Sequence, residues 1–330
     1  MEKITIDNKT ENQRFDKYLK RYLPNATGGF LYKMLRQKKI KLNGKKAEGS
    51  AILKSGDVID IYFAEETLKK FKAGSKNDNS GEGHNINPAA VDSFRKRIIY
   101  EDDEVLLLNK PAGMLSQKAD KGDVSACERL TEYLFSEGKL DEDSLRLFKP
   151  TAVNRLDRNT SGLLVCAKTL SAAQKLSEMF KDRSIKKHYL ALVYGDVLSS
   201  RSVKAYLKKD EKSNKVDISP APKEGYVKIE TRYEPVQHSD GATLLDVELI
   251  TGKTHQIRAQ LFAEGHAIVG DRKYAPKNFS GIGEGLKRQF LHAYKLEFPK
   301  CEGCLLGVSG KTFTADLPDD LNKVLNLMQG

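Results

Sequence analysis

The chain has 330 residues, enough for two domains, and 56 Lys and Arg stand against 45 Asp and Glu, for a formal net charge of +11. Such a surface attracts polyanions, nucleic acid first and an anionic membrane second. No run approaches the roughly 18 apolar residues that span a bilayer. The start, MEKITIDNKTENQRF, lacks the apolar core of a signal peptide, and four scattered cysteines make no disulfide framework. The expectation is a cytoplasmic monomer with no membrane contact.

In chain order, Arg14 to Leu19 opens an amphipathic helix with Phe15, Tyr18, Leu19 and Tyr22 on one face, ended by Pro24. A second helix over 30–37 carries Lys33 and Arg36. Lys38 to Leu42 reads as a basic strand closed by the turn signal Asn43-Gly44, and Leu53 to Ile61 as a turn and a last strand. Residues 12–63 hold twelve Lys and Arg against four Asp and Glu. A charge run taken alone is a solvated face. Gathered on a helix and the strand after it, Lys33, Arg36, Lys38, Lys39 and Lys41 also suit phosphate contacts. RFDKYL, the basic helix, IKLNGK and the late L-x-x-G-D-x-I resemble the S-four-type RNA-binding domain, assigned to 12–68. Residues 69–93 are poor in apolar side chains and rich in Gly, Ser, Asn, Asp and Lys, which predicts a flexible linker with His84 solvated.

The rest, 94–330, reads as one domain. Phe94 to Tyr100 and Val105 to Asn109 predict a strand pair, followed by a fixed turn at Lys110-Pro111-Ala112-Gly113 and a helix over 124–135. Val153 to Lys168, VNRLDRNTSGLLVCAK, sets charged Arg155-Leu156-Asp157-Arg158 and small turn formers before a short apolar strand. Asp157 thus lies at the mouth of a buried strand, flanked by two arginines. Alone, such an Asp is a turn former that bonds its own backbone. A helix over 171–180 follows, then a strand over 186–195 with Tyr189, Ala191 and Val193 on one face, where a Tyr is ordinarily core. Val203 to Val216 is a Lys-rich excursion without a clear element. Strands over 228–233 and 243–250 lead into Thr251-Gly252-Lys253-Thr254-His255-Gln256-Ile257-Arg258, where a helix begins near His255 with an N-terminus suited to phosphate. Arg258 taken alone is a surface or phosphate-contacting arginine. A turn at 269–274, a strand at 290–293, a hairpin tip with Cys301 and Cys304, and a closing helix over 317–328 complete the chain. The two cysteines have no second ligand pair for zinc.

R-L-D-x-x-T-S-G-L-L-V resembles the catalytic motif of the RluA-type pseudouridine synthases. Lys187 to Gly195 is similar to their K-x-Y-x-A-x-V-x-G, and Thr251 to Arg258 to their T-G-R-T-H-Q-I-R. The chain departs at Asn154, where the family has His, and at Lys253, which keeps a charge but loses the guanidinium fork. The resemblance implies an α+β fold on a mixed, largely antiparallel sheet, with a central cleft and no metal or cofactor. It implies Asp157 as the catalytic carboxylate, Arg258 paired with it, Tyr189 stacked on the target base, and Arg155 filling the space a flipped nucleotide leaves. The implied activity converts uridine to pseudouridine in structured RNA. The domain order favours large-subunit ribosomal RNA in the manner of RluC, with transfer RNA as the alternative. Two rivals are a non-enzymatic RNA-binding or ribosome-assembly factor and a glycosidase-like enzyme. The latter needs two carboxylates, and the motif offers one.

Overall fold

The structure, a computed structural model, describes all residues except 8, 73–85, 121, 211–214, 240, 276–281 and 329–330. Near the N-terminus, β1 (Glu2–Thr5), β2 (Ile40–Leu42) and β3 (Val58–Ile61) form an antiparallel sheet in the order β1-β3-β2. Helices α1 (Phe15–Tyr22) and α2 (Gly28–Arg36) pack on it. The stripe expected of α1 is buried: Phe15, Tyr18 and Leu19 share a core with Leu31, Leu35, Ile40, Ile59 and Ile61. Thr27 caps α2, its hydroxyl accepting from the Phe30 N–H at 3.2 Å.

The expected linker is ordered at both ends. Lys69 to Lys72 belong to α3 (Glu65–Lys72), which seats Leu68 in the N-terminal core and Phe71 against Phe30, ring centroids 4.8 Å apart. At the other end, Asn87 caps α4 (Pro88–Arg95), whose Val91 and Phe94 are buried in the larger core. Phe94 is therefore helical, and the strand that follows starts only at Ile98. Both helices are short and polar, and apolar anchors on neighbouring elements hold them where propensity alone would not. His84 lies outside the described residues.

The main sheet comprises β4 (Ile98–Glu101), β5 (Val105–Lys110), β6 (Thr151–Ala152), β7 (Ser161–Ala167), β8 (Lys186–Tyr194), β9 (Arg201–Asp210), β10 (Lys215–Ser219), β11 (Val227–Ser239), β12 (Ala242–Leu249), β13 (Leu291–Glu297) and β14 (Thr312–Thr314). Its order is β10-β9-β11-β12-β8-β13-β7-β5-β4, with β6 on β7 and β14 on β13. Every pairing in it is antiparallel except β13 with β7. The Lys-rich excursion is the hairpin of β9 and β10, whose tip lies outside the described residues.

β7 is buried on both faces, as an unbroken apolar run predicts. Leu164 and Cys166 face a core shared with α5 (Ala126–Ser136), α4 and α9 (Asp319–Asn326), where Pro318 is the N-cap residue. Leu163, Val165 and Ala167 face the opposite core with α7 (Leu170–Asp182). Cys301 and Cys304, both half-buried, pack on this second core around a 3₁₀ turn at Gly303–Val308. The short helix α6 (Glu142–Leu147) brings the two parts of the chain together: Leu147 packs on the N-terminal core, and its carbonyl accepts from Arg21 Nη1 at 3.3 Å. No helix among the described residues is long and apolar enough to cross a membrane.

Gly162 fixes the parallel pair. Its φ is +116°, and a Cβ there would lie 2.2 Å from the Ala293 carbonyl oxygen. Only glycine lets β7 meet β13 at this point. Ala293 in turn faces Tyr189 on β8, so Gly162, Ala293 and Tyr189 form one row across the sheet.

Candidate active site

The loop before β7 is held from several sides by backbone contacts. Ser116 grips Leu156 twice: its hydroxyl donates to the Leu156 carbonyl at 3.1 Å and accepts from the Leu156 N–H at 3.0 Å. The Gly113 N–H donates to the Arg158 carbonyl at 2.8 Å, so the Lys110-to-Gly113 turn braces the loop from below. Arg288, paired through Nε and Nη2 with Asp320, donates from Nη1 to the Asn159 carbonyl at 3.2 Å. Gln289 donates to the Thr160 hydroxyl at 3.1 Å. Asn154 extends the sheet with its side chain, accepting from the Val165 N–H at 2.7 Å and donating to the Leu163 carbonyl at 3.3 Å. An amide has one donor and one acceptor end for this, so the departure at Asn154 is structurally satisfied.

Lys110 is fully buried at the end of β5, and its ammonium donates to the carbonyls of Pro111, Met114 and Arg158 at 3.0, 2.9 and 3.3 Å. Burial pulls its pKa down to about 7, opposed by the charge of Asp157. Three carbonyl acceptors match the three donors of the charged form.

This frame presents Asp157, half-buried, to a cleft of about 830 Å³. Tyr189, Arg258, His255, Arg155, Lys187 and Lys253 share its walls. The structure brings Asp157, Tyr189 and Arg258 together from a loop, β8 and α8 (Gln256–Ala263). Arg258 Nη1 donates to Asp157 Oδ2 at 3.0 Å. The arginines adjacent in sequence do not pair with it: Arg155 and Arg158 are exposed, and neither makes an ion pair with Asp157. Arg155 stands at the rim of the cleft. Tyr189 is buried, and burial with the nearby Asp157 charge pushes its hydroxyl pKa well up, so the ring stays neutral.

Arg258 has a second partner absent from the sequence expectations. Its Nε and Nη2 donate to Asp271 Oδ2 and Oδ1 at 2.7 and 2.9 Å, a two-point fork that fixes the guanidinium plane. Asp271, fully buried, also accepts from the Lys273 and Tyr274 N–H groups at 2.9 and 3.2 Å. Burial opposes the charge on Asp271 and on Arg258, but their pairing overrides it, holding the carboxylate below its usual range and the guanidinium above. Gly270, at φ +76°, turns the chain ahead of Asp271, and a Cβ there would lie 2.2 Å from the Arg288 carbonyl oxygen.

Gln256 anchors the start of α8. It donates to the Glu230 carbonyl and the Thr231 hydroxyl and accepts from the Lys253 N–H and the Thr251 hydroxyl. His255, at φ +53°, sits before it as the N-cap residue, with Nε2 3.8 Å from Asp157 Oδ2. In the N-terminal part, Lys33, Arg36, Lys38 and Lys39 are exposed, while Lys41 is half-buried with its ammonium over the Tyr62 ring, 5.1 Å from its centroid. None of the five makes an ion pair among the described residues.

Residues 104–263 match the family model for RNA pseudouridylate synthase, and residues 13–59 the S4 domain. The large-subunit ribosomal pseudouridine synthase C of Vibrio parahaemolyticus is 33% identical over 303 residues, covering 89% of this chain and 87% of that protein. The chain belongs to the RNA pseudouridylate synthase family. The synthase is therefore an isomerase that acts on RNA and carries an S4 RNA-binding domain. The Haemophilus influenzae synthase C is 31% identical over 99% of this chain and 94% of its own length. An uncharacterised RNA pseudouridine synthase of Mycoplasma genitalium is 31% identical over 91% and 90%. Human RNA pseudouridylate synthase domain containing 4 shares the fold, with a TM-score of 0.60 at 19% identity over 73% of this chain and 96% of that one.

Two side chains of the synthase's site, Lys110 and Asp271, were placed by the sequence only as members of turns, Lys110 in one framing the cleft, and their burial and partners were not read from it. Lys110 follows the apolar run VLLLN at the end of a strand, and that run is the only local sign of its burial. Asp271 sits in the V-G-D turn, where nothing local shows a partner 13 residues back.

Proposed function

We propose that the synthase isomerises uridines of large-subunit ribosomal RNA, with Asp157 as its single catalytic carboxylate. One observation carries the assignment: Asp157 stands on a braced loop at the wall of the cleft, with Oδ2 held by Arg258 and Oδ1 without a protein partner among the described residues. That oxygen is free to meet a substrate. The reaction starts either by attack on the sugar carbon or by removal of the neighbouring 2′ proton. The bond from sugar carbon-1′ to base nitrogen breaks, the base turns over, a bond to carbon-5 forms, the carbon-5 proton leaves and the freed ring nitrogen takes up a proton, so that the product is an isomer of the substrate. Arg258 aims the carboxylate. Tyr189 stacks on the extruded base, a sequence-tolerant way to hold it. Arg155 enters the space the nucleotide vacates.

The ribosomal target rests on the names of the Vibrio and Haemophilus relatives. Residues 12–68, extended by α3, serve as the RNA-binding unit, with Lys33, Arg36, Lys38, Lys39 and Lys41 on phosphates. Residues 94–330 carry the chemistry. The test is tritium release from ribosomal RNA labelled at uridine carbon-5, with wild type beside Asp157→Asn. Release by wild type alone is expected. Comparable release by the variant would remove Asp157 from the role, and release from transfer RNA only would move the target.

A further inference from the structure

His255 is placed by a directed chain of hydrogen bonds. The Val216 N–H donates to the Tyr274 hydroxyl oxygen at 3.0 Å. With the oxygen so engaged, the hydroxyl proton is assigned to His255 Nδ1, also at 3.0 Å. With Nδ1 accepting, a neutral imidazole carries its proton on Nε2. Burial holds the ring below its ordinary pKa, with Arg258 and Lys273 acting in the same direction and Asp157 and Asp271 against it. The Tyr274 ring also meets the imidazole edge-on, centroids 5.7 Å apart. So Nε2–H is a donor of fixed direction on the cleft wall.

Asp157 Oδ2 lies 3.8 Å from Nε2. That is too long for a hydrogen bond. A donor and an acceptor at this spacing leave room for one oxygen at hydrogen-bond distance from both. Such an oxygen must accept from the imidazole and donate to the carboxylate. A hydroxyl does both, whereas a carbonyl or a phosphate oxygen does only the first.

We infer that His255 and Asp157 together bind the ribose 2′-hydroxyl of the target uridine, so that His255 is the residue that makes the site select ribose over deoxyribose. This rests on Asp157 being the carboxylate that meets the sugar. The 2′-hydroxyl is the group by which a protein tells RNA from DNA at a given nucleotide, and it needs both a donor and an acceptor to be read fully. A site that loses one of the two leaves the other half-satisfied, and selectivity falls.

The experiment uses the full chain and two synthetic RNA stem-loops spanning the uridine at which tritium release is mapped. They are identical except for uridine or 2′-deoxyuridine at that position. Equilibrium binding is measured for wild type, His255→Asn and His255→Gln. The 2′-hydroxyl survives isomerisation, so turnover during the measurement leaves it in place. Asn tolerates the left-handed backbone at 255 but does not reach into the cleft, whereas the Gln amide reaches the Nε2 position. Wild type is expected to bind the ribose RNA about tenfold more tightly than the deoxy RNA. In His255→Asn that ratio falls below about threefold, with affinity for the deoxy RNA unchanged, and in His255→Gln it is largely kept. A purely structural histidine would weaken both RNAs alike. The inference is overturned if wild type does not discriminate, or if His255→Asn discriminates as well as wild type. Either result leaves the Asp157 assignment intact, since that stands or falls on tritium release by Asp157→Asn.

Discussion

At the scale of single residues, the site is a relay of charge in which one arginine is shared by two carboxylates. Asp271 takes two nitrogens of Arg258 and leaves the third for Asp157. Because the first partner is buried and bidentate, the guanidinium has little freedom to follow Asp157 or a substrate. Asp271→Asn keeps the shape and removes the charge that balances a buried arginine. It should lower stability by on the order of 3 kcal/mol and reduce kcat by tenfold or more, with RNA affinity nearly unchanged. Thermal melts and single-turnover rates check both numbers, and an unchanged rate would mean that Asp157 is aimed without Asp271. Asp157 and Arg258 were legible in sequence because ordered motifs surround them. Asp271 was not, since an aspartate after a glycine reads as a turn former, and its partner is fixed by tertiary structure alone. Lys110 was hidden by its type, because lysine is rarely fully buried.

At the scale of elements, the legible parts were those with a strong apolar period or an unbroken apolar run. The stripe of α1, the alternation of β8 and the run of β7 all name their own surroundings. Helix α3 was missed because charged residues dominate it and Leu68 is its one buried anchor, and α4 because a short run with Pro and Ala shows no periodic stripe beyond Val91 and Phe94. β13 shows how an element carries a titratable group into the core. His292 is fully buried there, with Nε2 donating to the Ala315 carbonyl at 3.0 Å and Nδ1 2.9 Å from the Ser161 hydroxyl. Burial brings its pKa down to about 4, from an ordinary 6.5. Between these values the unfolded chain binds a proton that the native state refuses. Native stability is therefore complete above pH 6.5 and is lost as pH falls toward 4, by on the order of 3 kcal/mol from this residue. Replacing His292 with Gln, which keeps the donor, should flatten the fall in melting temperature between pH 6.5 and pH 4. An equally steep fall in the variant would show that other groups set the acid limb.

At the scale of the whole molecule, the net charge of +11 has a local shape. Lys33, Arg36, Lys38 and Lys39 stand exposed on one short stretch, while Lys110, Arg258 and Arg288 are turned inward onto partners within the protein. The first group suits RNA phosphates and the second does not. Changing the four exposed residues to Gln should lower the slope of log affinity against log salt by roughly three. The catalytic rate at saturating RNA should stay the same. A slope within error of wild type would place the phosphate contacts elsewhere on the surface. Composition alone made a polyanion partner legible, but the division of cations between surface and interior appears only in the folded molecule.

The parallel contact of β7 with β13 also bears on when the enzyme comes to life. The loop that carries Asp157 leans on Ala293 through Gly162, on Arg288 through the Asn159 carbonyl and on Arg258 through a salt bridge. These supports come from chain synthesised more than a hundred residues later. The buried residues of the N-terminal core all lie between Ile6 and Leu68, with Leu147 added at its edge, so nearly all of it is made while most of the chain is still unmade. Long-range pairings form last because their loop-closure entropy must be met first. A nascent chain is thus expected to close its basic N-terminal unit early and to brace the Asp157 loop only after β13 emerges. On the proposed role of Asp157, the order of synthesis would keep the chemistry silent until the protein is nearly whole.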